Sequence, residues 1–210
     1  MKQEFREEKY YGMYRAKVLE NDETKLPEGD ANAALIQWGR IKVRAYPMMA
    51  SEDIHVEALP WAVPALPLKE GSGIGFGGFS VPRKDAMVWV FFEDGDPMCP
   101  VYFAEAPDGV HGLPAWRTTN YPNRKGFTLE NGLILWIDEQ LNEVYLEHPS
   151  KTFIKISIDG KVEVETALGD ISLRALLGKI SVKADFGDID VEATAGLVTI
   201  NGGTGVAINP

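Results

Sequence analysis

With 210 residues, 45% of them hydrophobic, the chain has material for one ordinary domain and an extension, and no apolar stretch reaches transmembrane length. Its formal charge of -10 opposes attachment to nucleic-acid phosphates or anionic membranes by simple attraction, and favours solubility. Met1 to Glu8 is charged and lacks an apolar core, so export through a secretory signal is not expected; the single cysteine, Cys99, excludes an internal disulfide framework and is expected as a small buried hydrophobe.

Residues 10 to 106 read as short strands separated by turns, at Tyr14 to Leu19, Ala34 to Tyr46, Met87 to Phe92 and Pro100 to Glu105, which together suggest a small barrel. Asn21 to Asn32, polar and holding Pro27 and Gly29, is the loop after the first strand. Arg40, Lys42 and Arg44 alternate on the second. Three like charges on one strand face suit an acidic partner surface, or, with aromatics interleaved, single-stranded nucleic acid. Trp38 is the only aromatic close before them and the chain is acidic, so a protein partner is the preferred reading. Asp53, His55 and Glu57 also alternate and could hold a metal if that piece were a strand; a polar surface loop is preferred, since a tight site needs further ligands and a second shell. Gly71 to Gly78 has five glycines in eight residues, suiting a flexible crossing or a close backbone approach.

From residue 160 the chain becomes periodic. Gly160, Gly169, Gly178, Gly187, Gly196 and Gly205 stand nine residues apart, and at two and four residues after the first five come Val162 and Val164, Ile171 and Leu173, Ile180 and Val182, Ile189 and Val191, Val198 and Ile200. Alternation at period two means strands with one buried face. Because nine is odd, an unbroken strand would turn its apolar set to the wrong face at every repeat, so each glycine must be a corner that resets the phase. Such short fixed periods signal β-solenoids and related repeat folds.

A nine-residue strand makes about one side of a prism, and six repeats in one chain would give only about two turns with open edges at both ends. Three chains winding around one axis bury the ten aliphatics instead, which predicts an intertwined homotrimer with a shaft on the order of 30 Å at one strand spacing per repeat. His148, before Pro149, would then be present three times near that axis, although a turn residue is the preferred reading. The competing calcium-binding roll needs a Gly-Gly-x-Gly-x-Asp turn, to which only Gly169-Asp170 and Gly187-Asp188 come near.

No Gly-x-Ser-x-Gly elbow, phosphate loop or paired-cysteine metal site is present, and His55, His111 and His148 lie in separate segments. The expectation is a protein that is not an enzyme and carries no cofactor.

Several segments carry a family resemblance. Trp38–Arg44 (WGRIKVR), Leu59–Pro64 (LPWAVP) and Phe91–Pro97 (FFEDGDP) with Pro100–Ala104 (PVYFA) resemble, in order and spacing, the N-terminal oligonucleotide/oligosaccharide-binding (OB) barrel of the central spike proteins of contractile-tailed phages and of type VI secretion spikes. Arg124–Glu130 (RKGFTLE), Asn131–Asp138 (NGLILWID) and Val144–Ser150 (VYLEHPS) resemble the neck that precedes the needle. The resemblance implies an all-β chain with an OB-fold barrel at 1–106, a neck with the first needle strands at 107–150 and a triple-stranded β-helix, a β-prism, at 151–210. It implies a virion protein of the tail baseplate, assembled in the host cytoplasm, that attaches to a trimeric hub and pierces the host envelope mechanically without binding nucleic acid. Arg40, Lys42 and Arg44 are the expected hub contacts. The alternative is a trimeric OB-fold binding module for a saccharide or nucleic acid.

Two features depart from the family pattern: no lysozyme-like domain is inserted, and no His-x-His pair stands near the C-terminus to hold an ion. With Gly202, Gly203, Thr204 and Gly205 in place of bulky residues, the end at Val206, Ala207, Ile208, Asn209 and Pro210 is expected to be blunt and to dock a separate tip-capping protein.

Overall fold

The computed structural model of the chain describes residues 8–25, 37–67, 71, 76–110 and 112–201. The protein is all-β, and it divides into two compact units, Met1–Pro122 and Asn123–Pro210. No helix among the described residues is long and apolar enough to cross a membrane.

In the first unit, β1 (Tyr14–Glu20), β2 (Ile41–Ala45), β3 (Trp61–Pro64), β4 (Met87–Phe92) and β5 (Pro100–Glu105) close into a barrel in the order β1-β2-β3-β5-β4. All pairings are antiparallel except β3 with β5. A closed five-stranded barrel with this order is compatible with an OB fold. Alternation builds its interior: Ala16 and Val18 from β1, Ile41 and Val43 from β2, and Val88, Val90 and Phe92 from β4 point inward and are buried. The Tyr102 hydroxyl donates to the Gly39 carbonyl at 2.5 Å, tying β5 to the start of β2.

The strand expected over Ala34 to Tyr46 is shorter. Residues 34–36 lie outside the described part, and Gln37 at φ 67° and Gly39 at φ 81° adopt left-handed backbone that a strand cannot continue through, so β2 starts only at Ile41. Cys99 is not the buried hydrophobe expected of it: it is exposed in the β4–β5 turn, where its amide donates to the Asp96 carbonyl at 2.9 Å. Position in a tight turn decided its exposure, against the usual burial of free cysteine.

In the second unit, β6 (Arg124–Thr128), β7 (Ile134–Asp138), β8 (Glu143–Glu147), β9 (Phe153–Ile156) and β10 (Val162–Glu165) form an antiparallel meander in chain order. The sheet runs across residue 150, where the neck was expected to give way to the needle. Short turns join its strands, with left-handed residues where the chain reverses: Gly132, Asn142, Lys151 and Gly160.

After β10 the nine-residue rhythm is visible in the backbone. The chain bends at 167–169, 176–178 and 185–187 and turns at 194–196, each time ending on a repeat glycine, so the glycines are the corners the sequence requires. Of the repeats, however, only the first forms a strand. Between Thr166 and Asn201 no described residue joins a β-ladder, because a ladder needs a neighbour and within one chain only β10 finds one, through its hairpin with β9.

Candidate functional site

The two faces of the meander differ in kind. Cross-strand partners share a face, so the pairing places Arg124, Gly126, Trp136, Asp138, Glu143, Tyr145, Glu147, Phe153, Lys155, Glu163 and Glu165 together on one side. This side satisfies itself. Arg124 lies 3.9 Å over the Trp136 ring and its Nε donates to Asp138 Oδ2 at 3.3 Å. The fully buried Asp138 also accepts the amides of Gln140 at 3.2 Å and Leu141 at 3.0 Å. Trp136 stacks on Tyr145 at 5.0 Å and Tyr145 meets Phe153 at 5.8 Å. The Tyr145 hydroxyl donates to Glu147, which Lys151 also holds, and those two partners keep the Glu147 carboxyl below its ordinary value, the lysine contributing most.

The opposite side is two aliphatic rows. One runs Ile137–Val144–Ile156–Val162 across β7 to β10, and the other Phe127–Leu135–Leu146–Ile154–Val164 across all five strands. Among the described residues nothing encloses them: Phe127, Ile137, Ile154, Ile156, Val162 and Val164 are exposed, and Leu135, Val144 and Leu146 are half-buried. A soluble sheet normally turns its apolar face inward and its charged face to water. In the single chain this one leaves its apolar face to solvent.

The same is true of the repeats. Ile171, Ile180, Ile189 and Val198, two residues after their glycines, are 50–57% exposed, and Leu173, Val182, Val191 and Ile200, four after, are 67–74% exposed. Leu168, Leu177 and Phe186, at the bends, are almost fully exposed. Burying such a side chain completely is worth about 1.5–3 kcal/mol. Large exposed apolar surface marks an interaction site, and here exposed aliphatics recur along the chain from Phe127 in the meander to Ile200. The expected needle starts at residue 151 and its named core at Val162; Phe127, Leu135, Ile137, Val144, Leu146, Ile154 and Ile156 are absent from that core, although alternation within β7, β8 and β9 was the available signal.

Arg40, just before β2, and the β2 cations Lys42 and Arg44 are engaged by other segments of the first unit. Arg40 is buried, donates from Nε to Glu23 Oε2 at 3.3 Å and through its amide to the same carboxylate. Lys42 Nζ reaches the carbonyls of Val56 at 3.0 Å and Glu57 at 2.8 Å, 5.3 Å from the Trp61 ring centre. Arg44, also buried, donates to the carbonyls of Ser51 and, at 2.9 Å, Ile54. They clamp residues 51–58 and the Glu23 turn to the barrel wall. These groups therefore do not form an open basic face, and a role for them in hub docking stays a proposal.

Asp53, His55 and Glu57 lie in a turn and a single 3-10 turn (Val56–Ala58) and do not alternate along a strand. Among the described residues no group of three His, Cys, Asp or Glu side chains gathers as a metal site. His148 is a turn residue, its Nδ1 2.8 Å from Ser150 Oγ and accepting the Ser150 amide at 3.2 Å. His111 and the expected tip-docking residues Val206 to Pro210 lie outside the described residues.

Beside the Glu23 turn a cleft of about 460 Å³ is lined by Asp22, Glu23, Gln37 and Phe79 among others. Its buried carboxylate is committed to Arg40. No protein-family model matches the chain, and no curated protein sequence matches it.

Proposed function

We propose that this protein is the homotrimeric central spike of a contractile-tailed phage baseplate or a related injection system. The observation that carries the reading is the set of aliphatics that one chain leaves exposed from the meander to Ile200, on repeats that bend every nine residues and, after β10, find no ladder partner among the described residues. Three chains wound about one axis supply both the missing strand neighbours and the missing cover. The assembly is a triple-stranded β-helix. The closed barrel is the element that joins this rod to a trimeric hub at the end of the tail tube, the work is mechanical rather than catalytic, and a separate small protein caps the tip. Unfolding one chain of such a rod requires unwinding it from two others, which gives resistance to denaturation.

Light scattering on the purified chain tests the reading. A single species of three chain masses supports it, and a monomer at micromolar concentration overturns it. The exposed Trp38 and Phe79 near the barrel cleft favour a second reading, a trimeric OB-fold module for a saccharide or an oligonucleotide. Saturable binding of either ligand by the purified trimer would select it, whereas copurification with tail proteins would select the spike.

A further inference from the structure

A repeat of fixed period does not define its own register. Ile171, Ile180 and Ile189 occupy equivalent places, so a chain displaced by one repeat against its neighbours still sets aliphatic against aliphatic and loses only the contacts of one end repeat. Strands lacking a unique pattern are prone to such slippage. An intertwined rod therefore needs a segment that is aperiodic, apolar and already folded within each chain.

The meander has those three properties. Its five strands hydrogen-bond to one another without a partner chain, with β6 and β10 at the two edges. Its open face carries two rows that do not repeat, with the aromatic Phe127 at one edge. That face is continuous with the repeats, because Val162 and Val164 belong to both.

Charge decides what can cover it. A chain carrying a net charge of -10 repels its own copies, yet the sheet holds Asp138, Glu143, Glu147, Glu163 and Glu165 on the opposite side. The only charged residue paired into the aliphatic rows is Lys125, at the β6 edge, where its Nζ meets Glu139 Oε1 at 2.5 Å. Like faces can meet there with the carboxylate at that edge, Glu139, already paired to Lys125.

We propose that the aliphatic face of the β6–β10 sheet is the register-setting interface of the assembly. It meets the same face of two further copies first and fixes which repeat of one chain lies beside which repeat of the next. This rests on the reading of the chain as a self-assembling rod.

The test uses the full chain with Leu146→Ala and Ile154→Ala, compared with the unaltered protein by light scattering. The expected result is one three-chain species for the unaltered protein. For the variant the expectation is a distribution with a roughly twofold or greater rise in average mass, because slipped rods leave unpaired strand edges that recruit further chains. A spin label at Ser181→Cys, in a Cys99→Ser background, reports register directly: one narrow inter-label distance in the parent and a broadened distribution in the variant. Should the alanine pair fail to fold, Leu146→Val with Ile154→Val keeps strand propensity and should show the same broadening to a smaller extent. A meander variant that still forms a single three-chain species with the parental distance overturns the inference while leaving the trimer standing. An unaltered chain that stays monomeric overturns the rod and this inference together.

Discussion

Gly126 of β6 sits directly across from Trp136 of β7, and a β-carbon added at Gly126 would overlap the Leu135 carbonyl oxygen and stand 2.6 Å from the Trp136 Cα. The missing side chain is what lets the indole lie flat on the sheet, between the Arg124 guanidinium and Tyr145. Gly126→Ala must push β6 away from β7, at a cost of about 1–3 kcal/mol typical of overpacking. The expected outcome is a lower urea midpoint, with faster amide exchange in β6 and β7 and unchanged exchange in the barrel.

Ile180→Asp tests the proposed three-chain axis. In three wound chains it brings three carboxylates together in an apolar environment, where unpaired charges cannot be accommodated. Light scattering should show loss of the three-chain species. A trimer of normal stability would mean that Ile180 faces outward.

The barrel should fold alone. Residues 1–122 form one compact unit with a closed sheet and its own core, and a domain of this length can enclose enough apolar surface to be stable. The fragment is expected to be a folded monomer by circular dichroism and light scattering. An unfolded fragment would show that the barrel depends on the remainder of the chain.

In the first unit, Glu23→Ala removes the carboxylate that Arg40 meets while both side chains are nearly buried, and it also strips an acceptor from the Arg40 amide. Breaking such a buried pair from one side costs about 3–5 kcal/mol. Denaturant unfolding of the barrel should register this loss, whereas removing an exposed carboxylate such as Asp53 should change little.

Two tyrosines should titrate late. Burial, and then the Glu23 charge, pushes the Tyr102 hydroxyl up to about 12, and burial followed by the Glu147 hydrogen bond pushes Tyr145 up to about 12. Because the folded value exceeds the unfolded value near 10, the unfolded chain gives up these protons first as pH rises. Their contribution is therefore complete below about pH 10 and is lost as the pH climbs toward about 12. Ultraviolet titration should show a delayed fraction that shrinks in Tyr102→Phe and in Tyr145→Phe, and stability should fall over that interval.

The sequence by itself determined the elements whose signal is local. Alternation marked β4 and β5 at their observed bounds, and the odd nine-residue spacing required corners at the glycines, where the backbone does bend. It also marked the aliphatics at two and four residues after each glycine, which the described chain leaves exposed. What depended on distant partners was decided only by the tertiary structure. Arg40, Lys42 and Arg44 looked like an open basic stripe because sequence cannot show that Glu23 and the carbonyls of residues 51–57 fold back onto them. The aliphatic face of the meander was hidden for the same reason: Leu135, Leu146, Ile154 and Val164 become one row only through strand register, a relation among four separate segments. Local alternation gives each strand two sides, but pairing decides which sides are joined.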